Sequence, residues 1–158
     1  MVRAAVDGML VRAGIHIAWV DGKPKSGLVA PAPAVHVRFV RHSMDSHSAG
    51  ALAYATPFAG GVKTITVLCD RIRQVAGGPR REPSILAHVL AHELGHVLQG
   101  TNRHSQTGVM KASWSEQDYD AMAKEPLEYS SGDLDLIREG LNRLRVGTGY
   151  QTRVPSEL

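Results

Sequence analysis

The order of elements in these 158 residues predicts an α+β domain. Two observations carry that expectation. Apolar side chains recur at helical spacing at both ends of the chain and through a long central run, 85–99. Alternating stretches rich in strand formers gather instead between 15 and 69. The length suits one domain, expected over 1–146, with a loose tail at 147–158. A chain of this size buries roughly 70% of the surface its unfolded form exposes, so a core can form without cross-links.

Each element has its own local reason. Between Val2 and Ala13, the residues Val2, Ala5, Val6, Met9, Leu10 and Ala13 fall on one helical face, and Gly14 supplies a stop. "IHIAWV" (15–20) alternates and predicts a strand, followed by a turn at 21–27. "PAPAVHVRFV" (31–40) opens on prolines and alternates into a second strand. A polar loop, 41–50, precedes "ALAYAT" (51–56), a short strand ended by Pro57, as suits a sheet edge. Gly60-Gly61 turns the chain into a strong strand, Thr64 to Cys69. Arg73 to Glu82 reads as a polar connection. Pro83 fits a first helical turn, the helix runs on from Ile85 to Gln99, and Gly100 ends it. Residues 101–114 read as irregular. Ser113 with Glu116 reads as a capping box opening a helix toward Lys124. Leu134, Leu136, Ile137, Leu141 and Leu144 define a last helix, Ser131 to Arg145.

Composition narrows the function. Hydrophobic residues make up 43% and aromatics 5%, which predicts an aliphatic core. Net charge is +3, but the basic residues are scattered, with Arg71/Arg73 and Arg80/Arg81 the closest clusters. Without a basic run, nucleic acid is not expected as a partner. Cys69 is the sole cysteine, which excludes an intramolecular disulfide and a cysteine-rich zinc finger; it is expected as a buried thiol at a strand end. No stretch of 18 apolar residues occurs, so no membrane span is expected. The first twenty residues lack the basic start and long apolar core of a signal peptide.

The chemistry concentrates in "HELGHVLQGTNRHSQTGVM", His92 to Met110. His92 and His96 are four apart, so on a helix they share a face with Cβ atoms about 5–6 Å apart. Two imidazoles placed so can meet one zinc ion at about 2.0–2.1 Å each. Glu93 adjoins the first histidine and can take a proton from water at the metal. This is the His-Glu-x-x-His pattern. A catalytic zinc usually has three protein ligands. His88 cannot be the third: it lies eight residues from His96, roughly 12 Å along the axis, and is expected as a packed residue. The third ligand must follow a chain reversal, which Gly100 permits, and His104 comes next.

Here the sequence resembles the metzincin metallopeptidases, which carry His-Glu-x-x-His-x-x-Gly-x-x-His and a methionine turn. His92 and His96 match the first two ligands, Glu93 the general base, Gly100 the turn glycine, His104 the third ligand and Met110 the turn methionine. "HELGH", His104-Ser105 and Met110 are most similar to the matrixin branch. This chain departs from the pattern: the glycine comes one residue late and the third histidine two, leaving Asn102 at the usual third-ligand position. That longer spacing, with "GVMKASW", is similar to a group of bacterial predicted zinc proteases. The resemblance implies a zincin, metzincin-like fold with a small twisted mixed sheet, one catalytic zinc ion, and a peptide or protein substrate. It implies that the edge strand, Ala51, Leu52, Ala53, Tyr54 and Ala55, pairs with substrate backbone, and that the stretch 111–114, with Ala112 and Trp114, walls the pocket. It also implies an extracytoplasmic location.

Other acidic and imidazole groups offer alternatives. Glu116, twenty residues after His96, could be a third ligand as in gluzincins, although its expected capping role already explains it. His42, Asp45 and His47 fall where matrixins often hold a structural zinc; with Tyr54 in place of a further ligand, that set reads as a solvated loop. A zinc-stabilised binding domain without catalysis is the competing functional class.

Overall fold

Val2–Val11 forms α1, whose inner face buries Val6, Met9 and Leu10. Gly14, at φ 74°, turns the chain out of it, and the Ile15 N–H reaches back to the Leu10 carbonyl at 3.2 Å. The structure, a computed structural model, describes residues 1–22, 34–41, 50–55 and 63–147. Among them stand five helices and a three-stranded mixed sheet. The strands are β1 (Val35–Val40), β2 (Ala53–Ala55) and β3 (Lys63–Leu68), in the order β1-β3-β2. β1 runs parallel to β3, Val35 opposite Lys63. β2 lies antiparallel to β3, Ala53 opposite Val67. The Leu68 N–H donates to the Leu52 carbonyl, so residues 52 and 68 are a hydrogen-bonded pair, and the backbone polar groups of Ala53 and Ala55 point away from β3.

α2 (Cys69–Ala76) follows β3 directly, and α3 (Glu82–Gln99) is the hub of the molecule. It packs against β2, β3 and each of the other helices: α1, α2, α4 (Glu116–Met122) and α5 (Ser131–Gly147). Its apolar residues therefore surround it rather than forming one stripe; Ile85, Ala87, Val89, Leu90, Ala91, Leu94 and Val97 are all buried. Gly100, at φ 67°, ends α3 in the left-handed conformation and donates to the His96 carbonyl. No helix among the described residues is long and apolar enough to cross a membrane.

Four local expectations are corrected. Residues 15–20 form no strand, although their burial alternates: Ile15, Ile17 and Trp19 lean on the core, while His16, Ala18 and Val20 face out. The alternation records a chain lying along α1, with Trp19 Nε1 donating to Asp7 at 2.9 Å, and no neighbouring strand pairs with it among the described residues. Cys69 is not the end of a strand but the first residue of α2, and it is only partly buried. α2 occupies much of the expected polar connection; Ile72 and Ala76 share its buried face, and Gly77 caps it. The capping box is Ser115 with Asp118, not Ser113 with Glu116, because Glu116 is drawn outward to Arg81 at 2.9 Å. The start of the expected second strand at 31–33, the loop with His42, Asp45 and His47, the Gly60-Gly61 turn and the tail after 147 lie outside the described residues.

Candidate metal centre

His92 and His96 sit one turn apart on α3, with ring centroids 4.7 Å apart. His92 Nδ1 lies 2.8 Å from the Val109 carbonyl, and His96 Nδ1 lies 3.0 Å from the Thr101 carbonyl. A carbonyl only accepts, so each Nδ1 carries the proton and donates, and each Nε2 is left with a lone pair. Those two Nε2 atoms face each other at 3.0 Å. Two lone pairs so placed repel, and a cation bound by both removes the repulsion. Two nitrogens bound at about 2.0–2.1 Å to a tetrahedral ion lie about 3.3 Å apart, close to what is seen. His104 supplies the third imidazole, 5.3 Å from His92 and 4.8 Å from His96 between ring centroids. One ligand atom from each of the three lies within 4.8 Å of the others. Three imidazoles suit zinc, and a three-ligand set leaves a coordination position for solvent.

Burial governs the charge state of the two helical histidines. Burial, above all, lowers His92 to about 4, and its neighbours His96 and His104 push the same way. Burial also lowers His96. Both rings are therefore neutral near pH 7, the form that binds metal. Glu93, 8% exposed, is pushed by burial up to about 7, against a hydrogen bond from the Ala55 N–H. A divalent cation beside it would draw that value down.

This burial gives a pH-dependent prediction for the metal-free protein. Glu93 holds its proton more tightly folded than unfolded. Between its ordinary value of 4.5 and its folded value of about 7, folding takes up a proton, so stability falls as pH rises through that window. Glu93→Gln has no proton to take up. The metal-free variant should gain on the metal-free wild type as pH rises from 4.5 to 7, by about 2–3 kcal/mol at the plateau. Urea unfolding of both at pH 5 and pH 8 measures the gap, and a gap independent of pH would rule out the buried-carboxylate account.

The loop carrying the third histidine is tied down on itself and to its surroundings. The Ser105 N–H donates to the Met110 carbonyl at 2.8 Å, and the Val109 N–H to the Glu128 carbonyl at 3.0 Å. Gly108 has φ 75°, and a Cβ there would overlap the Glu128 carbonyl, so only glycine fits. Met110 is fully buried, with its thioether against Gly95. A Cβ on Gly95 would overlap the Met110 sulfur and lie 3.2 Å from Met110 Cε and from Tyr129 Cε1. Gly95→Ala is thus expected to displace the buried Met110 side chain and to destabilise by about 1–3 kcal/mol. Gly95→Ala with Met110→Ala should recover part of that loss, which a double-mutant cycle by chemical denaturation reads.

Compared with protein-family models, with curated proteins and with solved structures, the chain matches none. The reading of this centre therefore rests on its own geometry.

The remaining expected residues fall as follows. Trp114 stands edge-on to His92, with ring centroids 5.4 Å apart, and its Nε1 donates to the Gly108 carbonyl at 3.3 Å. Ala112 is exposed on the segment leading to it. Ala53, Tyr54 and Ala55 form β2, preceded by Ala51 and Leu52, and Ala55 reaches Glu93 through its N–H. Glu116 is 74% exposed, pairs with Arg81, and is not among the converging ligand atoms. His88 is fully engaged elsewhere: its Nδ1 donates to the Ser84 carbonyl at 2.7 Å, and its Nε2 accepts from the Leu127 N–H at 2.9 Å. The sequence reading missed the Val109 and Thr101 carbonyls, because backbone acceptors carry no residue identity. It also missed Gly95 and Asp133, although "HELGH" exposes a glycine in mid-helix and Ser130 precedes Asp133 at a capping interval.

Proposed function

We propose that this chain is a zinc-dependent endopeptidase of metzincin-like build. The observation that carries the reading is the pair of Nε2 lone pairs on His92 and His96, opposed at 3.0 Å, with both Nδ1 protons already committed and a third imidazole beside them. The buried carboxyl of Glu93 next to His92 turns a metal-binding reading into a catalytic one. The kinship is supported by an antiparallel edge strand, a left-handed glycine after the second histidine, and a buried Met110.

His92, His96 and His104 would hold the ion. When bound, zinc supplies Lewis acidity, which lowers the pKa of water and polarises a carbonyl oxygen. Glu93 accepts a proton from the attacking water at its carboxylate and returns it to the amine nitrogen as the peptide C–N bond breaks. The Ala55 N–H holds that carboxylate in place. The backbone groups of Ala53 and the carbonyl of Ala55, which point away from β3, offer an extended peptide a strand to pair with, while the Ala55 N–H is taken by Glu93. Trp114, edge-on to His92, and the exposed Ala112 on the same segment would flank the substrate.

The test is metal analysis of purified protein together with cleavage of a peptide library. Bound zinc, cleavage lost to a chelator, and cleavage restored by added zinc are the expected results. Zinc that stabilises the fold while no peptide is cut would overturn the catalytic reading in favour of a zinc-stabilised binding domain.

A further inference from the structure

Asp133, in the first turn of α5, is 1% exposed, and among the described residues no basic side chain pairs with it. A buried carboxylate is unfavourable unless donors compensate it. Two donors come from the helix start: the Ser130 N–H at 3.0 Å and the Ser130 hydroxyl at 2.6 Å, while Ser130 Oγ accepts from the Asp133 N–H at 3.2 Å. That is a capping box, and it explains one carboxylate oxygen. The other oxygen accepts from the Ser105 hydroxyl at 2.5 Å, across 28 residues of sequence. Capping does not explain that bond.

Ser105 adjoins His104. The other two histidines are each oriented by a carbonyl at Nδ1, but among the described residues the ring of His104 makes no hydrogen bond to a fixed partner. His104 is also the exposed member of the three. Its ring packs against those of His92 and His96, and the backbone beside it at Ser105 is fixed by the Ser105 N–H to Met110 and by the hydroxyl to Asp133. We propose that Asp133 is a positioning residue for the metal centre, holding His104 in place through the Ser105 hydroxyl and so coupling the start of α5 to the third ligand.

The inference rests on the three-histidine zinc reading above, and the test separates the two. Zinc affinity of the full-length chain is measured by competition with a fluorescent chelator, and stability by thermal unfolding of the metal-free protein. Ser105→Ala should weaken zinc binding about 10–100-fold, the usual loss for a group that orients a ligand. Ser105→Thr, which keeps the hydroxyl, should bind like the wild type. Ser130→Ala removes one hydroxyl that holds Asp133 but leaves the bond from Ser105 to Asp133, so it should lower the unfolding temperature and weaken zinc binding less than Ser105→Ala does. Ser105→Ala with Asp133→Ala should bind zinc no more weakly than Asp133→Ala, because both lie on one path. If Asp133→Ala does not fold, Ser105→Ala and its threonine rescue decide. The proposal is overturned if Ser105→Ala binds zinc normally while His104→Ala does not, or if Ser130→Ala weakens zinc as much as Ser105→Ala. Unchanged affinity in His104→Ala would instead bring down the three-histidine reading, and this proposal with it.

Discussion

Glu93→Gln is expected to bind zinc as the wild type does and to cleave peptide about 10²–10⁴-fold more slowly, the range in which a positioned general base contributes. The amide has nearly the shape of the carboxylate. Its oxygen can still accept the Ala55 N–H, so the local packing is kept. What it cannot do is take up a proton from water. On the proposed reading the ligand nitrogens belong to His92, His96 and His104, so the ion should stay. Metal content and kcat/KM measured on the same preparation separate the two contributions. A variant that cleaves at full rate removes Glu93 from the chemistry, and one that loses zinc along with activity makes Glu93 a metal contact.

Gly140→Ala is expected to cost about 3 kcal/mol, the upper end for overpacking, or roughly 6–12 °C in Tm. α5 crosses the end of α3 at this glycine. A Cβ there would overlap the Leu98 carbonyl oxygen and stand 2.9 Å from the Leu98 carbonyl carbon and 3.2 Å from Gln99 Cα. All three are backbone atoms, so no rotamer change relieves the clash and the helices must separate. Separation also draws Arg143 away from the Gln99 carbonyl, which it now meets at 2.8 Å. Gly8→Ala is the matched control. That position in α1 has open space around its Cβ, so the substitution should stabilise by about 0.5–1 kcal/mol. Thermal unfolding of the two variants, one down and one up, tests the close approach itself. Equal Tm values would refute it.

What could be read in the sequence follows from how local each signal is. α3 was legible because one segment holds its whole argument: Pro83 at the start, apolar residues throughout and Gly100 at the end. The histidine pair came with it, since helical spacing alone fixes which side chains meet. β2 was legible as an edge because Pro57 ends the run. α2 was hidden because the run of strand formers in β3 passes without a break into Cys69, and eight residues give a helix little period to show. Residues 15–20 misled because an extended chain on a core alternates whether or not a strand lies beside it. The helix start at Ser115 was misplaced by two residues because both Ser113 and Ser115 precede an acidic residue at the right interval, and the choice falls to Arg81, 35 residues before Glu116. The bond from Ser105 to Asp133, and the crowding at Gly95 and Gly140, depend on partners distant in sequence, and no window of the chain displays them.

The three imidazoles, and both carbonyls that fix the tautomers of His92 and His96, lie between His92 and Val109. Closing so short a span takes little loop entropy. A denatured chain therefore keeps a chelating segment even after α1, the sheet and α5 have come apart. If the centre holds zinc as proposed, some affinity for the ion would survive in that ensemble, and the protection zinc would give the native state would be smaller by that amount. The same locality would let such an ion bind before the long-range pairing of β1 with β3 is made, and stay bound through a partial unfolding that leaves α3 and the loop after it intact.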